Sequence, residues 1–482
     1  MEIKEINLDE VRHIHLMGIG GAGMSGLALL LKELGFDVSG CDMSYGFYVE
    51  KVAQADIDFN IGHSSDHLSR FSPDLLVYSS AIPEDNEELV VARESGIAVA
   101  QRAQVLSAIF DVRYGIGVAG THGKTTTSSM IGLILSGAGL EPTVAIGGEL
   151  CDIGCNARLG SGPHMVAELD ESDGSFLCFH PTISVITNVD WDHVNHYPDF
   201  DSVLNTFESF SKNLRKGGLS VLCGEDGGVQ SLLKMMEKDG PKAKVTYGWG
   251  DRWDWGATDI EYNHGGGVSF SVRKHGRSIG RIELSVSGDH NVLNALASCI
   301  VADTLSVPFD VIKRTLRQFK GAKRRLQFKG GVEHIDVYDD YGHHPKEVEA
   351  TLKAISQIFP ERKILVAFQP HRFTRTAAMA EDFAEVLTYA DKVVVLPIYP
   401  ADEPPIDGVT SHMIGDHLSM KKHPSFFVAD RKKDAIDKVM SLVEEGDVIL
   451  TLGAGDIADL GDILVKEIGR KNIVPRSIAI GV

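Results

Sequence analysis

The sequence predicts an α/β protein of three domains in series, and three observations carry that prediction. Short apolar runs rich in Val and Ile recur along the chain. Most open into a turn of glycine, acidic or histidine residues, and several continue into apolar positions at helical spacing, as in a parallel sheet flanked by helices. Two of the turns are glycine-rich and of the kind that closes on phosphate. Finally, 482 residues at roughly 150 per domain leave room for three separate cores. The domains are expected at 1–110, 111–322 and 323–482.

The first domain opens with a strand over 12–17 that runs into Gly18-Ile19-Gly20-Gly21-Ala22-Gly23-Met24-Ser25-Gly26. Leu27, Leu30, Leu31 and Leu34 then repeat at helical spacing, Gly35 ends the helix, and a short strand follows over 36–40. This is G-x-G-x-x-G in a strand-turn-helix setting, with Asp42 about 20 residues on, where it can meet a ribose hydroxyl. The motif predicts a Rossmann-like unit and a bound diphosphate, shared by NAD, FAD and UDP-sugars, and does not choose a reaction. A strand over 75–78 ends in Ser79 and Ser80, which are either ligand contacts at the sheet edge or an ordinary loop.

The central domain is organised around Gly120-Thr121-His122-Gly123-Lys124-Thr125-Thr126, a compact form of the phosphate loop. A strand containing Ile116 and Val118 feeds it, and a helix over 125–135 leaves it. Gly120 and Gly123 let backbone N–H groups close on phosphate oxygens, Lys124 supplies a cation, and the Thr125 hydroxyl suits Mg²⁺. The first glycine of the strict G-x-x-x-x-G-K-[ST] pattern would fall on Val118, so this is a P-loop-like ATPase loop in shortened form. Two later strands, over 164–169 and 183–186, open into Glu168-Leu169-Asp170-Glu171 and Asp190-Trp191-Asp192-His193. Those acids are either Mg²⁺ ligands beside ATP or a solvated cluster. The stretch 217–288 is turn-rich, with Val268, Phe270 and Val272 alternating as on a strand, and carries no evident chemistry. At the helix beginning near Gly288, Asn291 would face a purine or, with His290, cap the helix.

A basic run over 320–325 leads to the third domain, again α/β, with strands over 334–338, 363–368, 392–396 and 447–452. The first two open into loops bearing Asp340, His343 and His344, and His371, Arg372 and Arg375. Two arginines and three histidines at strand ends of an acidic chain suit a carboxylate or phosphate. No cysteine or further histidine stands at ligand spacing there, so a structural metal is not expected.

The whole-chain composition narrows the class. Net charge is −20, which argues against a nucleic-acid partner, and no apolar run approaches membrane-spanning length. Six scattered cysteines, Cys151 and Cys155 among them without a second pair for zinc, fit a reducing compartment. The N-terminus has no basic leader. A cytoplasmic protein is expected.

These motifs, in this order, identify a resemblance to the Mur ligases, ATP-dependent enzymes of peptidoglycan precursor synthesis. It rests on 18–26, 120–127, 170–176, 187–193, 290–292, 324–325, 340–345 and 369–376, and so spans nearly the whole chain. The resemblance implies an N-terminal UDP-sugar domain, a central ATPase domain and a C-terminal Rossmann-like domain that receives an amino acid. Gly20, Gly21, Ala22, Gly23, Met24, Ser25, Asp42, Ser79 and Ser80 would then bind the UDP-sugar. By position, Lys124 would hold the β and γ phosphates, Thr125 and Glu168 one Mg²⁺, and Glu168 with His193 a second, Mn²⁺ being a possible substitute. Asn291 would meet adenine, while Arg325 and Asp340 would contact the nucleotide where the second and third domains join. His343, His344, His371, Arg372 and Arg375 would serve the substrate side.

Other branches carry a carbamoylated lysine shortly after the position of His193, whereas 194–211 contains none; in this the chain resembles the alanine-adding branch. Leu169 stands where that branch commonly has alanine. The implied substrates are UDP-N-acetylmuramate and L-alanine, and the implied state is monomer or homodimer. Either Arg372 or Arg375 would hold the alanine carboxylate, and His344 or His371 would take the amine proton. A peptide-recycling ligase shares the ATP loop, and a dinucleotide oxidoreductase would explain only the first glycine-rich turn.

Overall fold

The computed structural model describes residues 6–147, 156–194, 196–241, 243–263, 267–321, 324–332, 334–401 and 403–470. Cys151 and Cys155 lie outside the described residues. Three sheets form, each from one continuous third of the chain.

The first contains β1 (His13–Met17), β2 (Asp37–Asp42), β3 (Asp58–Ile61), β4 (Leu75–Tyr78) and β5 (Ala98–Gln101), all parallel, in the order β3-β2-β1-β4-β5. The order reverses at β1, so the turns after β1, β2 and β4 share one edge, the usual crevice for a ligand in such a sheet.

The second sheet holds β6 (Tyr114–Ala119), β7 (Thr143–Ala145), β8 (Ala157–Arg158), β9 (His164–Glu168), β10 (Ile183–Ile186), β11 (Leu219–Cys223), β12 (Lys244–Trp249), β13 (Trp255–Tyr262), β14 (Val268–Lys274) and β15 (Arg277–Leu284). Its order is β15-β14-β13-β12-β11-β10-β6-β9-β7-β8. Strands β10 and β9 flank β6 in parallel, which brings the three expected loops side by side. Leu169, the residue commoner as alanine, is fully buried and packs where a side chain on Gly117 of β6 would stand, its Cδ1 only 2.5 Å from that position. The stretch without chemistry, 217–288, holds β11 and β12, paired in parallel, and then the antiparallel run β13–β15. Val268, Phe270 and Val272 are buried in the core under the helix Asp289–Thr304.

The third sheet contains β16 (Gln327–Val332), β17 (Ile335–Asp340), β18 (Ile364–Phe368), β19 (Lys392–Val395), β20 (Phe426–Val428) and β21 (Val448–Leu452), in the order β16-β17-β21-β18-β19-β20. Only the β16 edge is antiparallel. β17 starts later and runs longer than the sequence suggests, because His334 takes a left-handed turn (φ +64°) and the register carries Asp340 opposite Leu452. Asp340 is therefore a buried strand residue rather than a loop residue.

The first two bodies share apolar packing. Phe110, at the end of the helix Arg102–Asp111, meets Phe179 edge-on at 5.4 Å and fills the space a side chain on Gly115 would need. No described helix is long and apolar enough to cross a membrane, and Cys41, Cys178, Cys223 and Cys299 are free and buried.

Phe270 is completely buried, so Phe270→Ala is expected to cost about 3–5 kcal/mol through lost contacts and a cavity. Urea unfolding followed by tryptophan fluorescence measures it; a loss below about 1 kcal/mol would mean that the β13–β15 run does not share the core of the second sheet.

Candidate active site

The glycine-rich turn after β1 is held from beneath. Gly18 (φ +77°) and Ile19 donate their N–H groups to the Cys41 carbonyl, and Gly20 N–H donates to Asp42 Oδ2 at 2.8 Å. Asp42 also accepts from Ser44 N–H, so in this structure its carboxylate fastens the turn it was expected to extend beyond. The helix Ala22–Glu33 starts here with no side-chain cap, which leaves its N-terminus available to an anion. Sequence reasoning missed Arg102, whose guanidinium stands 3.2 Å from where a Cβ on Gly23 would be. It follows β5 directly, and the signal available was an arginine at a strand end on the ligand edge. A cavity of about 300 Å³ between the first two bodies is lined by Gly21, Ala22, Ser79, Ser80, Arg102 and Asn156, among others.

In the phosphate loop, Gly120 has φ +132°, and a side chain there would lie 2.1 Å from Thr187 Oγ1; only glycine allows that approach. The helix Lys124–Gly137 begins at Gly123 without a side-chain cap. Lys124 Nζ donates to the Gly120 carbonyl at 2.6 Å and to Glu171 Oε2 at 2.7 Å. Burial opposes its charge, but Glu171, Asp170 and Glu168 outweigh burial and raise the ammonium pKa above its ordinary value. Thr125 Oγ1 donates to Glu168 Oε1 at 3.1 Å, and Gly147 N–H to Glu168 Oε2 at 2.8 Å. Burial raises the Glu168 pKa, which Lys124 only partly offsets. His193 holds a left-handed backbone (φ +53°) with Nε2 3.4 Å from Glu171 Oε1, an oxygen that is buried and lacks a hydrogen bond. Oxygen donors at Thr125 and Glu168, with an unsatisfied carboxylate oxygen beside them, fit a hard divalent cation.

The third body reaches this edge through ion pairs. Arg375, only 5% exposed, donates through Nε (3.2 Å) and Nη2 (2.8 Å) to Asp192 Oδ1, also 5% exposed. Lys346 pairs with Asp190, and His122 Nδ1 lies 3.3 Å from Glu347 Oε1, with Arg325 Nη1 3.7 Å from the same oxygen. Asp340 accepts from Leu326 N–H at 2.7 Å and Gly342 N–H at 2.8 Å, and so fixes the connection into this body. His343, His371 and Arg372 line the main cavity; His371 stacks on Tyr399 (5.6 Å, 15°), and Arg372 has φ +72°. Burial lowers the pKa of His371 to about 4 and that of His343 to about 3, so both rings are neutral proton acceptors at neutral pH.

Three expectations change in detail. His344 caps the helix Pro345–Ile358, its Nδ1 accepting from Lys346 N–H at 3.3 Å, and its ring lies on His122 (4.8 Å), away from the cavity wall. Asn291 does not cap the helix Asp289–Thr304, whose N-cap is Gly288; its amide donates to the Ser287 carbonyl at 2.7 Å. On that helix it is Asn294 that approaches the phosphate loop, with Oδ1 2.8 Å from where a Cβ on Gly123 would stand, while the Asn188 amide accepts from His122 N–H at 2.7 Å and donates to the His122 carbonyl at 2.9 Å. Arg375 is committed to Asp192, whereas Arg372 has a side chain 43% exposed. Glu347, which draws together His122, Arg325 and His343, carried no signal beyond being an acid in a helix's first turn.

Residues of all three bodies line a single cavity of about 1030 Å³: Ala22 and Ser80 from the first, Lys124, Thr125, Glu168 and His193 from the second, Arg325, His371 and Arg372 from the third.

Arg375→Ala would leave the buried Asp192 carboxylate with only the His193 N–H and, at 3.9 Å, the His193 ring, so a loss of about 3 kcal/mol in unfolding free energy is expected, with Arg375→Lys intermediate. Loss within about 0.5 kcal/mol would show that the pair does not hold the bodies together. His122 gives a pH signature. Burial lowers its pKa, but Asp190 and Glu347 outweigh burial and raise it to about 9. The resulting stabilisation is complete below the unfolded value of about 6.5 and is lost as pH rises through about 9. The melting-temperature gap between wild type and His122→Asn is therefore expected to shrink across that window, and a gap independent of pH would refute the pairing.

Family models match the chain in sequence. "Mur ligase family, catalytic domain" covers residues 13–114, "Mur ligase middle domain" covers 118–302, and "Mur ligase, glutamate ligase domain" covers 324–455. The UDP-N-acetylmuramate–L-alanine ligase of Geotalea daltonii is 43% identical, over 95% of this chain and 98% of the relative. That of Desulfatibacillum aliphaticivorans is 44% identical, over 93% and 97%. Among solved structures, the UDP-N-acetylmuramate–alanine ligase of Thermotoga maritima aligns with TM-score 0.78 at 30% identity, over 95% of this chain and 99% of the other. A murein peptide ligase of Psychrobacter arcticus aligns with TM-score 0.71 at 25% identity, over 96% and 99%.

Proposed function

The chain belongs to the Mur ligase family, and on that premise we propose that it joins L-alanine to the lactyl carboxylate of UDP-N-acetylmuramate with conversion of ATP to ADP and phosphate. The observation that carries this reading is the single cavity walled by all three bodies, which offers an anion turn, a phosphate loop and a His/Arg wall to three different reactants. The reaction is a step of peptidoglycan precursor synthesis in the cytoplasm, carried out by a monomer or homodimer. The domains are 1–110 for the UDP-sugar, 111–322 for ATP and 323–482 for the amino acid.

A carboxylate has no leaving group that an amine can displace. Transfer of the γ-phosphoryl group to a carboxylate oxygen breaks the bond to the β-phosphate bridge and gives an acyl phosphate plus ADP. Attack of the alanine amine on its carbonyl carbon, with loss of one amine proton, then expels phosphate. Lys124 moves from Glu171 to the β and γ phosphates and balances the charge they bring. Thr121, His122, Thr126, Asn291, Arg325 and Asp340 complete the nucleotide site. Thr125 and Glu168 would hold one Mg²⁺, and Glu168 with His193 a second, supplying electrostatic neutralisation of the phosphoryl oxygens. Gly20, Gly21, Ala22, Gly23, Met24, Ser25 and Arg102 hold the diphosphate of the sugar nucleotide, with Asp42, Ser79 and Ser80 around it. Arg372, the more exposed arginine, fixes the alanine carboxylate. His371, on the cavity wall, accepts the amine proton once the negative charge of the bound reactants raises its lowered pKa, while His344 is spent on a helix cap. His343 orients the His371 side of the pocket, their ring centroids lying 5.6 Å apart.

Lys124→Ala is expected to lower turnover by roughly a thousandfold, measured as ADP release with both substrates present. His371→Ala should lower kcat by about a hundredfold or more with little change in the KM for ATP. Phosphate release with UDP-N-acetylmuramate over L-alanine, glycine, L-serine and the recycled tripeptide decides the acceptor. Release with the tripeptide and none with L-alanine would overturn the assignment in favour of a recycling ligase.

A further inference from the structure

The face of the first sheet turned toward the helices Asp66–Phe71 and Glu87–Glu94 carries a polar cluster that the ligase reaction does not use. His15 on β1, Cys41 on β2, His67 and Glu88 are all buried, three of them with no exposed surface. One donor atom from each lies within 4.8 Å of every other. His15 Nε2 is 3.1 Å from Glu88 Oε1, His67 Nδ1 is 3.2 Å from both Glu88 oxygens, and Cys41 Sγ is 3.4 Å from Glu88 Oε2. Four donors at about 2.0–2.3 Å from a tetrahedral zinc ion are separated from one another by about 3.3–3.8 Å; the contacts to Glu88 are already near that spacing, and the widest pairs, within 4.8 Å, close by about 1 Å on an ion.

A second observation points to an ion. His15 Nε2 is buried and makes no hydrogen bond despite its proximity to Glu88, so it is aimed into the cluster without satisfying a partner there. Its other nitrogen, Nδ1, is fixed by Ser39 Oγ at 2.8 Å, the kind of contact that orients a histidine ligand. Charge also favours a divalent cation. One thiolate and one carboxylate are neutralised by two positive charges, which removes the cost of burying Glu88 among apolar side chains.

We propose that His15, Cys41, His67 and Glu88 form a structural site for one borderline divalent cation of the zinc class. The mixed nitrogen, sulfur and oxygen donor set suits zinc rather than Mg²⁺. Four protein ligands close the site, so the ion braces the fold and takes no substrate. His63 adjoins the cluster, with Nδ1 3.2 Å from Cys41 Sγ and 3.7 Å from Glu88 Oε2. The bracing reaches the sugar-nucleotide turn directly, because the Cys41 carbonyl accepts Gly18 N–H at 2.8 Å and Ile19 N–H at 3.0 Å. The ligands come from four separate elements at unrelated spacings, which is why no zinc motif is visible in the sequence.

The test uses the full chain without a histidine tag, stripped with chelator and titrated with Co²⁺ in excess Mg²⁺. One equivalent should be retained through gel filtration, with a sulfur-to-cobalt charge-transfer band and the intense visible bands of tetrahedral cobalt. Cys41→Ser should lose the charge-transfer band, while the double variant Cys151→Ser, Cys155→Ser keeps it. Glu88→Gln should weaken binding by about tenfold or more. Wild-type protein that retains no metal, or shows no thiolate band at one equivalent, overturns the proposal whether or not the variants fold. A band that survives Cys41→Ser also overturns it. The readout is thiolate ligation, which the ATP site cannot give, so failure here leaves the ligase reading intact.

Discussion

Negative charge gathered at one edge of the central sheet is the constraint on which the rest of the architecture depends. Glu168 ends β9, Asp170 and Glu171 follow it, Asp190 and Asp192 follow β10, and both strands flank the one that delivers the phosphate loop. Glu171, Asp190 and Asp192 are buried. Carboxylates in such a place persist only beside cations, and the cations come from two sources. Lys124 and His193 belong to the same body; Arg375 and Lys346 are brought by the third. The same charges that would attract a metal–nucleotide complex therefore also tie the domains together.

The two junctions between bodies differ in kind. The first has an apolar centre, with Phe110 and Phe179 in one continuous core, and a polar rim that includes Asp111–His180 and Asn156–Ser25. The second is largely ionic, built from Arg375–Asp192, Lys346–Asp190 and the Glu347 cluster. Ionic contacts can be exchanged for contacts to a charged substrate at little net cost. An incoming phosphate would compete with Glu171 for Lys124, and the ion pairs of the third body lie on the same edge. Such a junction suits a reaction that must admit three reactants and then exclude water from an acyl phosphate.

Left-handed backbone conformations at His193, Arg324 and Arg372 fall on this same junction. Each costs free energy for a residue with a side chain, and each is imposed by its surroundings: Arg372 N–H, for example, is held by the Tyr399 carbonyl at 2.8 Å. Placing strain at the arginines and histidine that line the cavity aims those side chains without needing a larger scaffold.

Local chemistry made much of this legible in the sequence. A glycine-rich turn between a strand and a helix has few other uses, and its meaning survives without knowledge of what packs around it; Gly18–Gly23 and Gly120–Lys124 could be read for that reason. Strand identity was equally local, since runs such as Ile183–Ile186 are β-branched and apolar throughout. What sequence could not give was the partner of each charge. Arg375 was legible as an arginine near a substrate but not as the counter-ion of Asp192, 183 positions away, and His344 was legible as a base but not as a helix cap. Arg102 and Glu347 gave only the weak signals of an arginine at a strand end and an acid in a helix's first turn, and His15, Cys41, His67 and Glu88 gave no pattern at all. The sequence by itself determined the order of motifs, and hence the kind of reaction; tertiary structure alone decided which charges meet, because pairing distances are set by sheet order and domain contact rather than by spacing along the chain.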